Sequence, residues 1–485
     1  MISKLAFNTF TFLLWLTSLS AVGQSASGIV DLADRREIFV DNYLLEKLDG
    51  VRLSMHAPRN EGSVLAFDKP WEGSFSAYCT IIKDEGVYRA YYRGIPQAGK
   101  DGDAKEVTCY AESADGINWK KPELGIFEFG GTKNNNIILA NAPPVTHNFC
   151  PFLDKNPKAS PDQKYKAIGG IEKSGLVAYV SPDGVHWKKL REEPVFRKGV
   201  FDSQNVAFWS EWEGKYVCYF RTWSGGGYKG FRSVSRTTSV DFVNWTEPEA
   251  MTFGNTPLEH LYTQQTSPYF RAPHIYLAIG ARFMPDRQVV TDLQSKKLNV
   301  NPQYYKDCSD AILMSSRGGN TYDRTFLESF IRPGIGLTNW VSRSNYPALN
   351  VVQTGESEMS VYVNEAYAQP TAHMTRYSMR LDGFSSLSAG ISGGEVLTQP
   401  FIFKGKELEI NYATSAAGEV RIEVQDENGN PVTGFRFEDS LPIIGNEIRR
   451  IVSWKDGENL SKLASMRIKL KILIKDADLY SIKFN

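Results

Sequence analysis

Short apolar runs alternating with polar positions and broken by Gly, Asp and Asn recur along most of the chain, and helical periodicity is almost absent. The stretch from Phe201 to Trp223 shows the unit. A polar loop at Asp202 leads into an apolar strand from Asn205 to Trp209, a tight turn from Glu211 to Lys215, and a second strand from Tyr216 to Arg221. A Tyr early in such a second strand recurs at Tyr88, Tyr165, Tyr216, Tyr276 and Tyr362. A second pattern, Ser-x-Asp-x-x-x-Trp, follows at Ser113 to Trp119, Ser181 to Trp187 and Ser239 to Trp245, with a worn copy from Ser315 to Tyr322. In each, the Ser and Asp are expected to bond the backbone of a turn while the Trp packs beneath it.

Together the two patterns predict units of four antiparallel strands, the blades of a propeller. The expected fold class is all-β: a five-bladed β-propeller over residues 31–377, followed by a C-terminal β-sandwich over residues 381–485. Ile38 to Val40 reads as the strand that closes the ring. Past Leu381 the charged residues alternate with Val, Ile and Leu, as in Val420 to Val424 and Ile468 to Ile472, the mark of sheets with one wet face.

Composition narrows the function classes. With 55 Lys and Arg against 55 Asp and Glu and no basic run, nothing favours nucleic acid as a partner. Ten Trp and 23 Tyr suit a β-rich protein and also one that stacks sugar rings. Lys4, the apolar run Leu5 to Leu19 and the small residues Ala21 to Gly23 read as a signal peptide over residues 1–23. A secreted or periplasmic protein without a membrane span is therefore expected. Five scattered Cys fit neither a disulfide framework nor a zinc site and are expected as buried free thiols. No cluster of metal ligands, Gly-rich phosphate loop or Gly-x-Ser-x-Gly motif stands out.

The residues ahead of each blade are the candidates for chemistry. Blade one offers Asp68 and Glu72, blade two His147 and Asn148, blade three Asp202 and Asn205, blade four Gln264 and Gln265, and blade five Glu356 and Glu358. Asp202, in a run with Ser203, Gln204 and Asn205, is expected as base or nucleophile. Glu358, beside a strongly apolar strand, is expected as the acid, with Glu356 as competitor and Glu72, next to Trp71, as a further catalytic carboxylate. Asn205, Arg271, His274, His147, Glu356 and Arg343 are expected to contact substrate. Arg271 and Arg343 would match the carboxylate or sulfate of an anionic sugar, or tie parts of the fold together. His147 reads as a substrate contact, a cation ligand in the channel, or a His bonded between blades.

Ser239-Val-Asp241-Phe-Val-Asn-Trp245-Thr resembles the outer-strand signature of the propeller glycoside hydrolases of families 32 and 43. Cys109-Tyr-Ala-Glu112-Ser, Phe201-Asp202-Ser-Gln-Asn205, Tyr269-Phe-Arg271-Ala-Pro-His274 and Trp340-Val-Ser-Arg343-Ser-Asn-Tyr346-Pro resemble a group of exported bacterial proteins loosely labelled as family 32-like. The resemblance implies an exo-acting glycoside hydrolase that cleaves oligo- or polysaccharides with a carboxylate pair, one protonated and one ionised. It implies no cofactor, though a structural calcium in the channel is compatible with it. The chain departs from the pattern in lacking the second-blade Arg-Asp-Pro. A carbohydrate-binding propeller without catalysis therefore stays open, as does a lyase of uronate-containing glycans.

Overall fold

The structure is a computed structural model that describes residues 30–485, so the expected signal segment lies outside the described residues. Five consecutive antiparallel sheets of four or five strands form the propeller. Their innermost strands are Ala77–Asp84, Cys150–Leu153, Val206–Ser210, the pair His260–Thr263 and Thr266–Tyr269, and the broken strand Tyr346–Pro347 and Val352–Gln353.

Each repeated Tyr lies in the second strand of its blade, and its hydroxyl reaches a neighbouring blade. Tyr216 of blade three donates to Asp154 of blade two at 2.8 Å, and Tyr276 of blade four donates to Glu213 of blade three at 2.9 Å. Tyr165 reaches Asp84 of blade one, and Tyr362 reaches the Gly116 carbonyl there. The repeat thus records contacts that hold the ring together.

The Ser-x-Asp turns form as expected. Ser239 Oγ accepts from the Phe242 amide, and Asp241 accepts the amides of Val243 and Asn244 at 2.9 and 2.7 Å. Desolvation is the largest single influence and works against the Asp241 charge, but these amides, with the Asn244 and Ser239 side chains, together outweigh it and hold the carboxyl down to about 2. Such a group contributes stability above its unfolded value of about 3.9 and loses it as pH falls toward about 2. Asp241→Ala is expected to lower stability at neutral pH by about 1 kcal/mol, read from denaturant midpoints.

The ring closes on Arg59–Ala66, which pairs antiparallel with His373–Arg380 as the outermost strand of blade five. This corrects the expectation for Ile38 to Val40. Glu37–Ile38 instead pairs with Ile468–Phe484, and Val30–Ala33, Leu45–Asp49 and Arg52–Met55 join strands from the C-terminal part in one ten-stranded sheet. The sandwich is therefore built from both ends of the described chain, and residues 31–55 leave the expected propeller span. Its core holds Ile422, Val424, Trp454, Leu470, Ile472 and Phe484, all buried. The expected alternation is visible in Ile468–Phe484, where every second residue from Ile468 to Ile474 is buried.

A knot of amides crosses the propeller axis. Gln204 Nε2 donates to Thr80 Oγ1 at 2.8 Å, and Gln265 Nε2 donates to Gln204 Oε1 at 2.7 Å and to the Pro347 carbonyl at 2.8 Å. Gln204 also approaches Cys150 Sγ at 3.4 Å, so all five blades contribute. Buried amides bonded to one another in this way fix the spacing of the blades and give the space above them a floor, with Gln265 Oε1 left without a partner. The five cysteines are buried and free.

Candidate active site

Above the amide knot, where the innermost strands begin, lies a narrow pocket open to solvent. Its walls carry Tyr78, Tyr262, Tyr304, Tyr346 and Tyr367, with Arg93, Asp101, Glu106, His147 and Arg343 between them. Several non-glycine residues at this end have left-handed backbones: Tyr78 at φ 55°, Phe201 at 57°, Gln265 at 46° and Arg343 at 58°. Such conformations persist only where the surroundings over-determine them, and they gather where side chains must be aimed.

The loop between Val87–Gly94 and Val107–Ser113 brings Asp101 and Glu106 to His147, which sits in a short 3₁₀ turn ahead of blade two. His147 Nδ1 lies 2.8 Å from Glu106 Oε1, with both side chains buried. The same Nδ1 lies 3.2 Å from Arg93 Nη1, so a carboxylate and a guanidinium hold that nitrogen together. Nε2 has no hydrogen-bond partner and faces Asp101 Oδ1 at 3.6 Å. Glu106 Oε2 is likewise buried without a partner. Arg93 donates to the Phe75 carbonyl at 2.9 Å, lies over the Tyr78 ring and stands 4.0 Å from Glu106. A base oriented by a carboxylate, beside a second carboxylate, can move a proton to or from a bound molecule.

The expected site residues do not gather in one place. His147 and Arg343 line the pocket. Asp202 is not among the lining residues; it pairs at 3.1 Å with Arg221, whose guanidinium covers the ring of the lining residue Tyr262. Asn205 is buried below, donating to the Phe201 carbonyl at 3.3 Å. The neighbouring Asn148 donates to the carbonyls of Gly170, Phe201 and Ser203, so these two amides tie blade two to blade three.

Glu72 turns into the body of blade one, fully buried, where it accepts from Tyr92 at 2.6 Å and pairs with Lys121 at 2.5 Å. Glu358 lies at the other end of blade five. Tyr346, at the pocket, sits opposite Asn364, whereas Glu358 starts the same strand near Val352. Six residues of strand put it about 20 Å from the mouth. It pairs there with Arg376 at 2.8 Å, and Glu356 is exposed in the adjoining turn. The catalytic set Asp202, Glu358 and Glu72 therefore does not converge.

Arg271 and His274 also leave the site. Arg271 Nε meets Asp382 Oδ1 at 3.1 Å and His274 Nε2 meets Glu37 Oε2 at 3.5 Å, both at the joint between propeller and sandwich. Residues the sequence reading missed are Arg93, Asp101, Glu106 and the tyrosines. The charged run from Lys100 to Glu106, between two strands of one blade, was the available signal.

The strand pairing defines a five-bladed β-propeller joined to a β-sandwich, with a pocket on the propeller axis. No family model and no curated protein matches the chain. Among solved structures it is similar to an N-acetylgalactosamine deacetylase from F. plautii in complex with blood group B trisaccharide, at 13% identity and TM-score 0.44, covering 68% of this chain and 96% of that one. It is also similar to a family 43 arabinoxylan arabinofuranohydrolase from Bacillus subtilis, at 10% identity and TM-score 0.40, covering 86% and 97%. A fructofuranosidase from Schwanniomyces occidentalis complexed with fructosylnystose follows, at 10% identity and TM-score 0.36, covering 88% and 97%.

Proposed function

We propose that the protein is an exported glycoside hydrolase that takes the end of an oligo- or polysaccharide into the axial pocket. The observation that carries this is the floored pocket, whose tyrosine walls surround the His147–Glu106 pair and Asp101. A floor admits a chain end rather than a chain interior, and aromatic walls suit the apolar faces of sugar rings. Carrying a proton on Nε2 taken up from solvent, His147, held by Glu106 through Nδ1, passes that proton to the leaving oxygen with Asp101 beside it. Asp202, linked to the pocket wall through Arg221 and Tyr262, takes a proton from the water that attacks the anomeric carbon. The C–O bond breaks, water supplies its two parts, and the released sugar leaves through the open mouth.

The test is release of reducing sugars from a broad panel of plant and marine oligosaccharides. Turnover is expected in the wild type, a large loss in Asp202→Asn, and near-normal turnover in Glu358→Gln. Binding without turnover on every glycan would sink the hydrolase and make the protein a carbohydrate-binding propeller. An unsaturated product absorbing in the ultraviolet would replace hydrolysis by elimination, with the free Nε2 of His147 as base.

A further inference from the structure

Arg343 is set apart from the other cations of the pocket. Arg93 is occupied by the Phe75 carbonyl, the Tyr367 hydroxyl and its proximity to Glu106, and Arg221 is paired with Asp202. Arg343 instead packs its guanidinium over two tyrosine rings, 5.3 Å from the centre of Tyr262 and 5.0 Å from that of Tyr304. The acid nearest in effect is Asp307, which contacts Ser342 and which burial pushes toward its neutral form against the pull of Arg343 and Arg232. Arg232 stacks on Trp223, Phe283 and the far-reaching Tyr262 ring. Burial and the like charge of Arg221 both work against the Arg232 charge. Three guanidiniums thus share one tyrosine, and Asp202 pairs with one of them, Arg221.

The backbone holds this arrangement. Arg343 is left-handed at φ 58°, a conformation that costs a long side chain of this kind about 1 kcal/mol or more. The Ser342 amide donates to the Tyr304 carbonyl, the Asn345 amide donates to the Asn364 carbonyl, and Ser344 Oγ accepts from the Tyr367 amide. Asn345, at φ 65°, further anchors its side chain on the carbonyls of Ser309 and Asn339. Flanking residues are fixed on both sides so that Arg343 lines the pocket.

We infer that the pocket recognises an anionic sugar unit through Arg343, whose planar fork receives a carboxylate or sulfate oxygen pair at the pocket wall. This rests on the pocket being the saccharide site. A guanidinium stacked on aromatic rings keeps its donors directed in the ring plane and is already stripped of much of its water, so a bound oxyanion gains fully from the charge. The same chemistry serves a uronate carboxylate and a sulfate ester.

Calorimetric titration of the full chain with matched pairs separates these outcomes. A galacturonate trisaccharide is compared with the neutral galactose trisaccharide of the same linkage, and a sulfated galactose disaccharide with its desulfated form. One anionic member is expected to bind at least about 10-fold more tightly than its neutral partner, and which pair shows it assigns carboxylate or sulfate. Arg343→Gln is expected to remove that preference, with a loss of about 10- to 100-fold for the anionic sugar and little change for the neutral one. Arg343→Lys is expected to restore part of it, since Lys keeps the charge and lacks the fork. Equal affinity within both pairs in the wild type overturns the inference while the saccharide site stands. Equal losses for charged and neutral sugars in Arg343→Gln overturn it as well, because Arg343 would then support only the shape of the wall. No binding of any saccharide overturns both this inference and the proposed function.

Discussion

His147→Gln is expected to lower kcat by about 100- to 10,000-fold on whichever glycan the wild type cleaves, with a much smaller change in KM. The size follows from what the substitution removes. His147 is the pocket group with a free ring nitrogen, and its other nitrogen is fixed at 2.8 Å from the buried Glu106. Gln preserves much of the volume and can still bond Glu106 through its amide, so the loop from Ile95 to Glu106 should stay docked while proton transfer ends. Glu106→Gln keeps the ring position and removes the charge that supports a cationic imidazole, so a smaller loss is expected, again in kcat. Thermal melts of both variants establish that they fold. A His147→Gln enzyme retaining kcat within a factor of about three would remove His147 from the chemistry and return the burden to Asp101 and Asp202.

The propeller was legible because its repeats perform the same task in every blade. A buried Tyr whose hydroxyl staples the neighbouring blade, and an Asp turn that caps its own amides, demand the same residue types each time. The ring closure was not legible for the opposite reason. Arg59–Ala66 is an outer strand with only Leu65 buried, so it lacks the apolar signal of a blade strand, and its partner lies some three hundred residues away. The misplacement of Glu358 has a local cause. The innermost strand of blade five is split around Ala348 to Val351, with Pro347 at the break and Asn350 left-handed at φ 76°. Without an apolar run to mark it, the hairpin turn holding Glu356 and Glu358 reads as the loop at the mouth. The site itself was half legible. Asp202, His147 and Arg343 precede innermost strands and could be found by counting blades, whereas Asp101 and Glu106 sit on a loop between later strands, where no periodicity applies.

Asp382→Ala is expected to cost about 3 to 5 kcal/mol of stability, because it strands Arg271 and leaves Arg36 with Glu409 alone. Asp382 is fully buried at the turn where the propeller hands over to the sandwich. Its Oδ1 accepts from the Tyr269 hydroxyl at 2.7 Å and meets Arg271 at 3.1 Å. Its Oδ2 accepts from Ser481 at 2.7 Å and Asn411 at 3.1 Å and stands 3.5 Å from Arg36. Strand residues from the first, fourth and last parts of the chain therefore converge on one carboxylate. Arg36 retains Glu409 in the variant, but Arg271 has no second anion among its ion pairs and is half-buried, with its Nη2 buried and already unpartnered. Asp382→Asn should cost less, since the amide oxygen still accepts one set of donors, and Asp382→Ala combined with Arg271→Met should recover part of the loss by removing the stranded charge. Denaturant unfolding followed by tryptophan fluorescence gives the three values. Recovery in the double variant distinguishes an uncompensated charge from a cavity, which a second truncation would only enlarge. A single variant as stable as the wild type would show that the joint carries no free energy of its own and that each half stands on its own core.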